Sequence, residues 1–302
     1  MRVERGTLGA DPAAAAAALR ATTEVQPEVE AAVRDIVERV RREGDAAVRE
    51  LTERFDTGGT PVGQLRVDET ALGAAFEATG PELRRALELA AVNVRDVAAA
   101  GVGQDRQVDL PQGQQVRLRE LPVRRAAVYV PGGRAPYPST VVMGAVTARV
   151  AGVEQVVVCS PPEPDGGINE VVLAACGLAG VVEAYAMGGA QAVAALALGT
   201  ESIEPVDVLV GPGNVYVQEA KRQLAHRVGS DGFAGPSELV VIFADDAPPQ
   251  LVALDLAAQA EHGPASPVIG VSPSVALLEA VAGALEQLGG EELPPATVRL
   301  LN

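Results

Sequence analysis

Gln259 and His262 sit three residues apart in QAEHGP, at the end of a helix-like run, so both side chains fall on one face within reach of a common point. An amide oxygen and an imidazole nitrogen converging in this way can hold a metal ion or orient a polar substrate. Two donors fall short of the three protein ligands zinc usually takes, and the sequence holds only 2 histidines. The alternative is a helix C-terminus where His262 meets the dipole before Gly263-Pro264 stops the helix. His226, the other histidine, lies among Lys221, Arg222 and Arg227 and reads as a solvated helix face. Ser237 in AGPSE lacks the Gly-x-Ser-x-Gly elbow and any histidine close in sequence, which argues for a ligand-binding hydroxyl and against a hydrolytic nucleophile. Glu238 and Glu261, beside these motifs, read as structural carboxylates. Cys159 ends an apolar strand and Cys176 lies in a helix-like run, so both read as buried reduced thiols.

A second group of residues is made for backbone contact. GPGN at 211–214 follows the apolar run VDVLV and opens a helix, where small residues and free amides attract a phosphate. It is not a full dinucleotide fingerprint, because Tyr216 stands where the third glycine belongs, and a tight strand-to-helix turn is the alternative. Gly132-Gly133 and Gly188-Gly189 also follow strands. Three such turns at one sheet edge would form a crevice.

The elements that must position these groups change character along the chain. The first hundred residues read as helices: Asp11-Pro12 is an N-cap with proline at the first helical position, and helical spacing runs from Pro27 to Phe55, interrupted at Gly44, and from Glu69 to Ala99, broken near Gly80-Pro81. From Arg106 the period changes to two, and VRLREL alternates apolar and charged residues as a half-buried strand does. Strands are then expected at about 123–130, 154–159, 181–187, 206–210, 238–244 and 267–271, with helices at about 140–151, 168–177, 190–198, 215–227, 249–261 and 274–287. Strand then helix, repeated, means parallel sheets with crossover helices. The fold class is α/β with two Rossmann-like parallel-sheet domains and an N-terminal helical region. The divisions are 1–122, helices and a hairpin packing on the second sheet; 123–233, the first sheet; and 234–302, the second sheet.

With 40 acidic against 24 basic residues the net charge is −16, which repels polyanions, and no basic stripe offsets it; nucleic acid is not an expected partner. No window approaches the roughly 18 apolar residues of a membrane span and no secretory signal is evident, so the expected location is the cytoplasm.

In order along the chain, REGDAAVRELTERFD, PGGRAPYPST, AMGGAQAVAAL, GPGNVYVQEAKRQ, AGPSE and QAEHGP resemble the histidinol dehydrogenase family over nearly the entire sequence. That resemblance implies oxidation of an amino alcohol, L-histidinol, to L-histidine in two NAD-dependent steps, with zinc holding the substrate, in a homodimer. By the same likeness Tyr129, Gln191 and Asn214 fall on NAD-contacting positions, Tyr129 as an aromatic face and the amides toward ribose or phosphate oxygens. Ser237, Gln259 and His262 fall on substrate-contacting positions, the last two being zinc ligands also. The family's Glu-His general base and two further zinc ligands lie beyond the point matched by Asn302. The resemblance therefore implies weak zinc binding and no turnover by these residues alone, the chain being either completed by a separate C-terminal chain or a truncated form of the enzyme. The alternative is a catalytically inactive relative that keeps a nucleotide or small-molecule crevice.

Overall fold

The computed structural model describes residues 2–9, 11–20, 27–132, 136–233, 237–244, 246–263, 266–288 and 296–302. Gly133, the 234–236 part of AGPSE and Pro264 lie outside the described residues. Two compact units result, Pro27–Phe233 and Met1–Gln26 with Ala234–Asn302.

The chain opens with β1 (Arg2–Gly6) and α1 (Pro12–Arg20). Asp11 Oδ1 accepts from the Ala14 N–H at 3.0 Å, the N-cap its sequence position indicates. Next come α2 (Pro27–Glu43) and α3 (Asp45–Phe55), which meet at Gly44, then α4 (Glu69–Ala78) and α5 (Pro81–Gly101), parted by Thr79-Gly80. A hairpin, β2 (Arg106–Asp109) paired antiparallel with β3 (Gln115–Leu118), leads into the first parallel sheet. That hairpin corrects the half-buried reading: every residue of both strands is exposed, so its alternation of apolar and charged residues has no core beneath it in this chain.

The sheet begins with β4 (Arg125–Tyr129), followed by α6 (Pro138–Val141), a π-helical turn (Val142–Val146) and α7 (Thr147–Val150), which together form one helical rod. It continues through β5 (Gln155–Ser160), α8 (Glu170–Leu178), β6 (Glu183–Ala186), α9 (Gly189–Leu198), β7 (Val208–Val210), α10 (Val215–Leu224) and the short β8 (Gly229–Ser230). All pairings are parallel, in the order β6-β5-β4-β7-β8. The central strands are apolar on both faces, as helices on either side require. Ala127, Tyr129, Val157 and Cys159 enter one core, and Ala126, Val128, Val156 and Val158 enter the other.

Helices α2 to α5 cover this first sheet, a correction to the expectation that the N-terminal helices pack on the second; β1 and α1 do belong to the unit of the second sheet. Val33, Val37 and Val40 of α2 and Val48 and Leu51 of α3 share a core with α9 and α10, whereas Leu72 of α4 and Leu87 of α5 share the opposite core with α8 and the 138–150 rod. Amphipathic spacing fixes that a helix has a buried face but does not say which sheet receives it.

In the second unit, β9 (Leu239–Ile242), α11 (Pro249–Ala260), β10 (Val268–Val271), α12 (Val275–Leu288) and β11 (Thr297–Leu301) complete the chain. The sheet order is β1-β11-β10-β9, all parallel. Its core joins Leu256 of α11, Leu285 of α12, Val268, Val298 and Leu300. The chain is thus α/β with two parallel sheets.

Candidate functional site

Strand order reverses between β4 and β7, and in open parallel sheets the crevice at such a reversal, outside the carboxyl ends of the strands, is where ligands bind. Here it is a cavity of about 780 Å³, lined by residues that follow four successive strands: Gly132 after β4, Pro161 after β5, Gly189 and Gln191 after β6, and Asn214 and Tyr216 after β7. Tyr129 and Asp56 also reach it.

Each polar group at the crevice has a defined task. Asp56, just beyond α3, accepts from the Gly188 N–H at 3.1 Å and from Gln191 Nε2 at 3.2 Å. Burial pushes its carboxyl up to about 6, against the pull of those two donors. Tyr129 Oη accepts from the Gly189 N–H at 3.0 Å. Its side chain is only 3% exposed, and burial pushes the phenol above its usual range. Tyr129 therefore lines the cavity as a buried residue whose hydroxyl supports the α9 turn. Gly189 has φ +62°, a conformation glycine adopts readily. A Cβ at Gly188 would lie 2.5 Å from Pro161 Cγ and 2.9 Å from Asp56 Oδ1, so the wall passes there as bare backbone.

Asn214 caps α10, its Oδ1 accepting from the N–H groups of Tyr216 at 3.0 Å and Val217 at 3.1 Å. Its Nδ2 is left to donate, and it is exposed. The structure thus brings Tyr129, Gln191 and Asn214 to one cavity. It adds Asp56, which sequence reasoning passed over as a helix-end carboxylate because its partners lie more than a hundred positions downstream.

Ser237, Gln259 and His262 meet within the second unit. Ser237 Oγ lies 2.8 Å from His262 Nδ1, and Gln259 Nε2 donates to Ser237 Oγ at 2.8 Å and to Ser237 O at 3.0 Å. Two elements produce this: β9 starts just after Ser237, and the last turn of α11 carries Gln259 toward it. The serine-histidine contact was hidden by 25 residues of separation. Ser237 and His262 are exposed, as are Glu238 and Glu261.

Gln259 Oε1 and His262 Nε2 are two donor atoms suited to zinc. Among the described residues no group of three or more His, Cys, Asp or Glu stands together as a metal site, so these residues do not make up a zinc centre by themselves.

The remaining candidates fall into place simply. His226 is exposed, with Nδ1 at 3.1 Å from Gln223 O. Lys221 is not its solvated neighbour: it is 1% exposed and ion-paired to Asp231, a correction to the surface reading of that helix face. Cys159 and Cys176 are free and buried, and burial pushes the Cys176 thiol up to about 12. Among the described residues no helix is long and apolar enough to cross a membrane.

The sequence profile of histidinol dehydrogenase matches residues 19–297. A histidinol dehydrogenase of Parasynechococcus marenigrum is 48% identical over 223 residues, 74% of this chain and 51% of that protein. One of Gluconobacter oxydans is 44% identical over 233 residues, 77% of this chain and 54% of that protein. The chain spans about half the length of the curated relatives it matches. The crystal structure of histidinol dehydrogenase from Elizabethkingia anophelis superimposes with a TM-score of 0.81 at 30% identity, covering 100% of this chain and 71% of that one. Sequence profile, relatives and superposition agree with the ordered motifs: the chain belongs to the histidinol dehydrogenase family.

Proposed function

We propose that the chain binds NAD in the crevice between β4 and β7 and an amino alcohol, L-histidinol, at Ser237, Gln259 and His262. In this reading it forms part of an enzyme that oxidises L-histidinol to L-histidine, the last step class of histidine biosynthesis. The observation that carries the reading is the convergence of four strand-end turns on one cavity of about 780 Å³, within the range of roughly 300–1,000 Å³ usual for small-molecule sites. The Asn214 Nδ2, the bare glycine backbone and the start of α10 suit ribose and phosphate oxygens. NAD, when bound, accepts the hydride in each oxidation.

The second group of residues fits the alcohol. In the tautomer with its proton on Nδ1, His262 donates to Ser237 Oγ, which also accepts from Gln259 Nε2. The serine's own hydrogen is then free to donate to a substrate oxygen, and His262 Nε2 keeps a lone pair for a donor or cation. Zinc would need ligands besides Gln259 and His262. Removal of the hydroxyl proton needs a placed base.

The test is calorimetric titration of L-histidinol. Ser237→Ala should weaken histidinol binding at least five-fold and leave NAD binding unchanged. Histidinol affinity equal to that of the parent chain would remove Ser237 from the substrate site.

A further inference from the structure

Lys221 is the only lysine in the sequence; every other one of the 24 basic residues is arginine. It is also buried, 1% exposed, on the second turn of α10. Its Nζ donates to Gly211 O at 2.6 Å and to Asp231 Oδ1 at 2.8 Å, while the Gly211 N–H donates to Asp231 Oδ2 at 2.8 Å. The two side chains thus close a ring around one peptide residue, engaging both of its backbone polar atoms. Gly211 needs such a clasp. It sits at φ +117°, and a Cβ there would lie 2.1 Å from Tyr129 O, so no side chain of its own can anchor it.

The geometry favours lysine over arginine. A compact ammonium serves two acceptors in a closed space, where a planar guanidinium directs its donors along a wider fork. Burial opposes ionisation of Asp231, but the Lys221 ammonium and the Gly211 N–H outweigh it and hold its carboxyl below the usual range. Gly211 opens the turn whose last residue, Asn214, caps α10, and Lys221 lies on that same helix. The helix therefore reaches back to fix the turn from which it starts.

We propose that Lys221 is a positioning residue of the nucleotide crevice: with Asp231 it clasps the Gly211 backbone and sets the turn that presents Asn214 and the start of α10 to NAD. The proposal rests on the reading of the crevice as an NAD site.

Calorimetric titration of NAD into the purified chain separates the two. Lys221→Met should weaken NAD binding at least ten-fold. The double variant Lys221→Met/Asp231→Leu, which removes the half-exposed carboxylate that the single variant leaves without its cation, should recover thermal stability relative to the single variant without recovering affinity. NAD affinity in the double variant equal to the parent's overturns the proposal and leaves the crevice reading standing; a parent chain that binds no NAD overturns both. Should the variants fail to fold, the lone lysine of the parent is its own reporter. Acylation of Lys221 by an amine reagent should slow about ten-fold at an NAD concentration ten times Kd, beyond any slowing of amide hydrogen exchange in α8. Acylation indifferent to bound NAD overturns the proposal.

Discussion

Asp56 shows how a single residue can cost stability where it organises a site. Its carboxyl titrates near 6 in the folded chain, because burial outweighs the donors from Gly188 and Gln191, and near about 3.9 when unfolded. Between those values the folded chain holds a proton that the unfolded chain has released, so this group's contribution falls as pH rises from about 4 to about 6 and then levels. At neutral pH the ionised Asp56 therefore destabilises the chain by roughly 2–3 kcal/mol. Asp56→Asn should raise the Tm at pH 7.5 and flatten its dependence on pH between 4 and 6, since the Gln191 amide can turn to meet the new side chain. An unchanged pH dependence in thermal melts of that variant would mean that Asp56 is not the titrating group. Nothing in TERFD announces this: the sequence shows a carboxylate at a helix end, and only the fold brings it beside Gly188.

Among the elements, regular α/β alternation was legible because each strand is a short apolar run and each helix carries turn chemistry at its ends. The expected helix at 249–261 is Pro249–Ala260, and the expected strand at 154–159 is Gln155–Ser160. The edges were not legible. β1 and β11 pair in parallel from opposite ends of the chain, Arg2 beside Thr297, and neither RVERG nor TVRLL reads as a strand without its partner. Helix-to-helix approach was equally hidden. Gly177 in α8 lies so close to α4 that a Cβ would stand 2.4 Å from Leu72 O and 3.2 Å from Phe76 Cβ. Backbone cannot yield there as a flexible side chain could, so Gly177→Ala should cost about 1–3 kcal/mol of stability despite alanine's better helix propensity. Denaturant unfolding of that variant checks the figure, and a variant as stable as the parent would show that α4 and α8 can part freely.

At the scale of the whole molecule, the chain divides its chemistry between two units, a crevice wholly within Pro27–Phe233 and a Ser-Gln-His group wholly within the other. The family motifs were legible in the sequence and named the residues at both places, because glycine turns and the Gln-x-x-His spacing are local. What each residue does there was not local: the buried Tyr129 hydroxyl, the Asp56 acceptor and the Lys221 clasp each depend on partners brought in by the sheet. The central claim is that the crevice is a nucleotide site, and calorimetric titration of NAD into the purified chain tests it most directly. The parent chain and Cys176→Ser, altered in α8, should bind NAD alike. Gly188→Val, which drives a side chain into Pro161 and Asp56, should lose at least ten-fold in affinity. No detectable binding by the parent, or equal affinity in all three, would contradict the account.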